Sequence, residues 1–88
     1  MTHPKATNFS HGKNEYALYE FVSDGDAIPM HTHDYSHLTV VIVGSITAHN
    51  ESKTATFNKG EVVNFEAGKP HEIVANEAGT VILNVFNG

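Results

Sequence analysis

The sequence predicts an all-β domain of about eight short strands. Its β-branched and aromatic segments are roughly four to eight residues long, and Gly, Pro, Asn or Asp interrupts them about every eight to twelve residues. No stretch of about ten residues shows the 3.6-residue period of an amphipathic helix. The 88 residues suffice for one domain, so residues 1–88 are expected to form a single β-sandwich or barrel.

The predicted strands follow one another between turn residues. In chain order they are Tyr16–Val22, Ile28–His33, His37–Val43, Ile46–His49, Lys53–Phe57, Val62–Phe65, His71–Ala75 and Thr80–Phe86. Pro29 favours extended backbone at the residue before it, and Asn50-Glu51-Ser52 is the turn of a predicted hairpin. Residues 1–14 carry no sustained period, so we expect them to be loosely held or exchanged between copies of the chain.

Two of these strands are apolar on both faces. Leu38–Val43 and Val81–Phe86 lack the strict alternation that a strand shows when one face meets solvent. Strands of this kind are usually covered on both sides. In so small a domain the second cover is expected to be another copy of the chain, so the sequence predicts a homodimer.

Composition limits both the cross-links that could stabilise this chain and the partners that it could bind. A domain of this size is marginally stable unless a disulfide, a metal ion or self-association stabilises it. The absence of Cys excludes disulfides and thiolate metal sites. Ten acidic residues against five basic ones give a net charge of −5, which argues against nucleic-acid and anionic-membrane partners. No apolar stretch approaches the roughly 18 residues of a membrane span, and the first residues lack a signal-peptide core, so a cytoplasmic protein is expected.

Histidine is the unusual component of this sequence. There are seven, of which three fall between positions 31 and 37. Side chains at i and i+2 of a strand share a face, so His31 and His33 can point the same way. His37 has the same parity and joins them if Asp34-Tyr35-Ser36 bends, while His71 comes from a separate strand. Imidazole is a common nitrogen ligand of Zn, Cu, Fe and Ni, so these four residues predict one metal site.

The remaining interpretations of the histidines are less specific. A His-x-His pair alone is weak evidence, because it is often only a polar stretch of surface. His33 and His37 have the spacing of an i,i+4 pair on a helix, but the β-branched run that follows disfavours a helix there. His3, His11 and His49 lack a partner in the pattern and are interpreted as solvated.

The glycines and histidines together resemble the first of two motifs of the cupin family. These proteins are double-stranded β-helix (jelly-roll) barrels. The first motif reads G-x5-H-x-H, then three or four residues, E, and x6-G. Gly25, His31, His33 and Gly44 match it, and His37 occupies the position that is usually glutamate.

The second cupin motif reads G-x5-P-x-G-x2-H-x3-N. Gly60, Gly68 and His71 match it, whereas Glu66 replaces the proline and Ala75 replaces the asparagine. The resemblance extends from Gly25 to about Asn76. Gly44 and Gly60 are expected to adopt the positive φ of tight turns, and Gly68 to open the bend that presents His71.

The resemblance implies a metal centre whose ligands are His31, His33, His71 and position 37. With histidine at position 37, the site is either a four-histidine site or a three-histidine site with His37 beside it as acid, base or hydrogen-bond donor. The expected cofactor is one divalent transition metal ion, and the family leaves Fe, Mn, Ni, Zn and Cu open.

The expected function is that of a mononuclear metalloenzyme of dioxygenase or related oxidative type, acting on a small organic molecule. His37 and Tyr35 are the candidate catalytic residues. One alternative is a non-enzymatic cupin that binds a small molecule or sugar around a structural metal. Another is an isomerase or lyase with the metal as Lewis acid. The candidate pocket walls, which include no Lys or Arg and so suit a weakly polar ligand, are Thr39, Val41, Phe57 and Phe65.

Overall fold

The computed structural model describes residues 4–50 and 52–87. Within them are nine strands: β1 Lys5–His11, β2 Asn14–Phe21, β3 Ala27–His31, β4 His37–Val43, β5 Ser45–His49, β6 Thr54–Asn58, β7 Val62–Phe65, β8 His71–Ala75 and β9 Thr80–Asn87. The expectation for His3 lies outside the described residues, as does Glu51 in the predicted hairpin turn. In this part of the chain no helix is long and apolar enough to cross a bilayer.

The strands form two antiparallel sheets, which confirms the all-β prediction. The five-stranded sheet has the order β1-β2-β9-β4-β7, and the four-stranded sheet has the order β3-β8-β5-β6. Strands that are distant in sequence are therefore neighbours, as in a jelly roll. The edge strands β7 and β6 belong to different sheets and leave an open seam between them.

The strand prediction was accurate except at the N-terminus. Bounds are exact for β4, β7 and β8, and the other predicted strands shift by one or two residues at their ends. The structure adds β1, which pairs with β2 from Lys5↔Glu20 to His11↔Asn14. All seven β1 residues are exposed. Because no side chain of β1 is buried, the sequence carries no hydrophobic alternation that would reveal it.

The core lies between the two sheets. Its largest fully buried apolar side chains are Phe21, Val41, Ile46, Ile73 and Ile82. Gly44 makes the tight step between β4 and β5 with a φ of 84°, as the sequence predicted. Thr80 lies so close to Gly44 that a Cβ there would clash with its side chain.

The opposite surface of the five-stranded sheet is apolar although it faces away from the core. The strand registers place its residues in two adjacent rows, which we call the outer face: Phe9, Tyr16, Val85 and Leu38 in one row, and Leu18, Leu83, Val40 and Val62 in the other. Leu38 is 44% exposed and Val62 is 53% exposed.

Candidate metal centre

The four predicted histidines meet at one end of the sandwich. His31 ends β3 and His71 begins β8, and the two are register partners in the four-stranded sheet. His37 begins β4 in the facing sheet, where its register partner is Phe65. His33 lies in the connection between β3 and β4. Pairing of β3 with β8 thus brings together two histidines that are forty positions apart in sequence, and the facing sheet adds His37.

The rings are close enough for a shared ligand. Ring centroids are 4.5 Å apart for both His31–His33 and His31–His71, and 5.1 Å apart for His33–His71. One nitrogen from each of His31, His33 and His71 lies within 4.8 Å of the other two. His37 lies beside this group, with its ring 5.1 Å from His33 and 5.9 Å from His71, but it does not belong to it.

His33 reaches the cluster by a different route from the one its strand parity suggested. The strand ends at His31, two residues earlier than predicted. A backbone hydrogen bond of 2.7 Å from the Gly68 amide to the His33 carbonyl fastens this connection to the one between β7 and β8. The Ala67 amide also donates to Ser36 Oγ at 3.0 Å. The predicted bend therefore exists, and it is held by a neighbouring loop.

Hydrogen bonds to backbone carbonyls determine which ring nitrogen of His31 and of His71 is available to bind a ligand. Nδ1 of His31 lies 2.6 Å from the Pro29 carbonyl, and Nδ1 of His71 lies 3.2 Å from the Lys69 carbonyl. A carbonyl only accepts, so in the neutral rings these nitrogens carry the proton and Nε2 keeps its lone pair. Such outer hydrogen bonds are typical of metal-binding histidines.

A buried chain of three side chains orients His37. The Thr39 hydroxyl donates to Asn84 Oδ1 at 2.6 Å. Its oxygen lies 3.3 Å from His37 Nδ1. Because its single proton is used on Asn84, Thr39 accepts from His37 Nδ1–H, which leaves the lone pair on Nε2. Nε2 is buried and has no hydrogen-bond partner among the described residues.

Burial keeps the inner histidines neutral. The pKa of His37 is lowered from 6.5 to about 4, mainly by desolvation and also by the neighbouring histidines, against an opposing backbone hydrogen bond at Leu38. Desolvation, and then the nearby His31, also lower the pKa of His33. For His71 desolvation is again the main cause of a lowered pKa. Neutral imidazole is the form that binds metal.

These residues fit a divalent transition metal ion. His33 Nδ1, His37 Nε2 and His71 Nε2 are all buried without a hydrogen-bond partner among the described residues. Each such orphan costs about 1–3 kcal/mol in a folded protein. Coordination to an ion removes this cost for the nitrogens that face it, and the donor set is one that Fe, Mn, Ni, Cu and Zn accept.

Aromatic rings surround the cluster. Phe65 stacks on His71 with centroids 4.3 Å apart, and Phe86 lies 5.1 Å from His37. Tyr35, the second candidate catalytic residue, stacks on His33 at 4.9 Å and is 47% exposed. It therefore lies at the solvent side of the site.

Three residues near the site were missing from the sequence prediction: Tyr19, Asn84 and Phe86. Tyr19 packs against the core, and burial followed by the nearby Tyr35 raises its pKa. Asn84 and Phe86 are two positions apart in β9, so their side chains share one face of the strand. This spacing is the sequence feature that could have indicated them. It could not be used without knowing that β9 lies beside β4.

The predicted pocket walls divide between three environments. Thr39 contacts His37, while Val41 is 1% exposed within the core. Phe57 and Phe65 line a cavity that also has Lys53 and Lys69 in its lining. The expectation of walls without lysine is therefore corrected. Lys53 and Lys69 lie in connections between strands, whose folding across the seam was not evident from the sequence.

The two sheets and their strand order define the chain as a jelly-roll domain, with a histidine cluster at one end that could hold a metal ion. Comparison with protein families gives the same result, because the description "Cupin domain" matches residues 17–86. The chain belongs to the cupin family. A search among curated proteins gave no match.

Solved structures share this fold at low sequence identity. A cupin-2 domain containing protein from Shewanella frigidimarina is 18% identical, with a TM-score of 0.82 over 100% of this chain and 84% of that one. KdgF from Halomonas sp. is 17% identical, with a TM-score of 0.83 over 93% and 76%. A cupin superfamily protein from Desulfitobacterium hafniense is 13% identical, with a TM-score of 0.79 over 99% and 81%. At these identities the similarity establishes the fold alone.

Proposed function

We propose that this protein is a mononuclear metalloenzyme of oxidative, dioxygenase-like type that acts on a small organic molecule. The observation that carries the proposal is the set of three histidine nitrogens, on His31, His33 and His71, within 4.8 Å of one another. Two of these residues have buried nitrogens without a hydrogen-bond partner among the described residues.

His31, His33 and His71 would hold the ion. When bound, the ion would supply Lewis-acid and redox chemistry to the substrate. Three neutral ligands leave its charge uncompensated, so the site favours an anionic substrate. Structural zinc sites are usually closed by four protein ligands, whereas catalytic sites keep an open position. A site with three histidine ligands is therefore of the catalytic kind.

The surrounding residues prepare the site for chemistry. Phe65 and Phe86 contact His37 and His71 and exclude water from the inner side of the cluster. His37 offers a lone pair on Nε2, so it can accept a proton or a hydrogen bond from a substrate. Tyr35 is exposed beside His33 and supplies a phenol at the solvent side.

The experiment that tests this function uses Co²⁺ as a spectroscopic probe. Metal-free protein is titrated with Co²⁺, and azide is then added while the visible absorption is followed. We expect one ion per chain and a spectral change with azide, because positions on the ion are open. A tetrahedral spectrum that azide leaves unchanged would show a closed site, contradict the enzymatic proposal and favour the non-enzymatic binding protein.

The proposed functional unit is a homodimer joined through the outer face. Each row crosses four strands about 4.8 Å apart, and the two rows are two residues, or about 7 Å, apart along the strands. Because each row is apolar across four of the five strands, with Asn64 and Thr7 at the remaining positions, a second copy of the same face is a matching partner.

A further inference from the structure

A cavity lies on the far side of the wall formed by Phe65 and His71. It has a volume of about 260 Å³ and occupies the open seam between the edge strands β6 and β7. At about 30 Å³ per water molecule, this volume corresponds to about nine waters. It therefore suits a molecule smaller than an ordinary drug-sized ligand.

The interior of this cavity is apolar. Phe57 from β6, Val63 and Phe65 from β7, and Ala48 from β5 contribute to its lining. His71 belongs both to this lining and to the histidine cluster. A flat or branched apolar group can therefore rest between the two edge strands with one end against His71.

The mouth of the cavity is positively charged in an otherwise acidic chain. The chain has five basic residues and a net charge of −5, yet Lys53 and Lys69 both line this cavity and also a second recess that shares Asn50 and Pro70 with it. They come from different connections, so the fold brings two like charges to one place. Glu66 pairs with Lys69 at 2.7 Å, which leaves a surplus of one positive charge among these three residues.

We infer that this seam cavity binds a small carboxylate with an aromatic or branched apolar body. Its carboxylate lies at Lys53 and Lys69, its body lies against Phe57 and Val63, and its far end lies against His71. This inference deepens the proposed function by naming a substrate class, and it rests on that function for the chemistry at the far end. Binding at the lysine mouth does not require a metal ion.

Benzoate is the probe that tests this inference, with benzamide as its neutral isostere. Binding is measured by NMR titration of metal-free protein. We expect benzoate to bind about fivefold more tightly than benzamide, because one ionic contact at a surface contributes up to about 1 kcal/mol. Signals of Phe57 and Val63 should move. Equal binding of the two probes, or no binding of benzoate, would overturn the inference.

Charge variants separate the mouth from the rest of the surface. The double variant Lys53→Gln/Lys69→Gln should bind benzoate about tenfold more weakly, whereas the matched control Lys59→Gln, on an exposed turn outside the cavity, should bind as the unaltered chain does. Glu66→Gln should strengthen binding about twofold, because it removes the negative charge from the rim. An unchanged affinity in the double variant would overturn the inference.

Failure of this inference and failure of the proposed function give different results. Benzoate could bind only after Co²⁺ is added, with the same affinity in the lysine variants as in the unaltered chain. In that case the ion is the anion site, so the cavity proposal fails while the metal centre stands. If benzoate binds through the lysines but Co²⁺ does not bind, the cavity proposal stands and the metalloenzyme proposal fails.

Discussion

His31 and His71 are register partners across β3 and β8, and their ring centroids lie 4.5 Å apart. Each ring has its Nδ1 beside the carbonyl of the residue two positions earlier, Pro29 for His31 and Lys69 for His71. The two strands therefore present the two rings in the same way. Because an antiparallel pair fixes this geometry, the centre is largely formed before any ion binds.

His37 should be less important for metal binding than His31. Its nitrogens lie outside the three-histidine group, so His37→Ala is expected to keep one ion per chain with an affinity loss of about tenfold, as for residues that support ligands. Isothermal titration with Co²⁺ measures this, with His31→Ala as the comparison. Equal losses in the two variants would identify His37 as a fourth ligand.

Acid should destabilise the metal-free protein well before its carboxylates are protonated. The pKa of His37 falls from 6.5 to about 4 on folding, so between these values the unfolded chain binds more protons than the folded one. The contribution of His37 to the free energy of unfolding is fully present above about pH 6.5 and is lost as the pH falls towards 4. His37 alone accounts for up to about 3 kcal/mol of this decrease. The pKa of His33 and of His71 is lowered in the same direction.

Urea unfolding in the presence of a chelator, at several pH values between 7 and 4, measures this dependence. The variant His37→Gln should show a smaller decrease in unfolding free energy over the same range, while the exposed control His11→Gln should behave as the unaltered chain. The same decrease in His37→Gln would show that the acid sensitivity arises elsewhere.

Gly44→Ala should destabilise the fold more than Gly60→Ala. Both glycines have positive φ, 84° and 86°, so both substitutions introduce backbone strain of about 1–3 kcal/mol. Only at Gly44 would the new methyl group also clash with Thr80, whereas the space beside Gly60 is open. Thermal unfolding of the two variants compares them directly, and equal losses would show that Thr80 moves aside without cost.

The outer face should control self-association. Light scattering coupled to size exclusion is expected to give twice the 9.6 kDa chain mass. Leu38→Lys should shift the protein to the monomer, since it places a charge within the apolar rows. Val22→Lys is the control, because Val22 is 73% exposed but lies outside the outer face. A dimer that survives Leu38→Lys would assign the interface to another surface.

The sequence predicted those parts of the structure that depend on local pattern. Strand parity placed His37 and Thr39 on one inward face, and glycine chemistry placed the turn at Gly44. It did not predict β1, whose residues are all exposed, or the end of β3 before His33. These features depend on pairing with distant strands and on the hydrogen bond from Gly68, which no local pattern encodes.

The same limit applies to the surroundings of the site. Asn84 and Phe86 contact the site only because β9 lies between β2 and β4, which is a property of sheet order. Lys53 and Lys69 share a cavity only because two connections meet across the seam. Motif spacing was sufficient to predict that His31, His33 and His71 lie close together, with His37 beside them.

The most direct test of the central claim is the metal stoichiometry of the protein and of its register-pair variants. Elemental analysis is made on protein purified without added metal, and then after saturation with Co²⁺ and dialysis. We predict one ion per chain for the unaltered sequence and for the control His49→Ala, and loss of the ion for His31→Ala and His71→Ala. Absence of bound metal in the unaltered protein, or its full retention in both His31→Ala and His71→Ala, would contradict the claim.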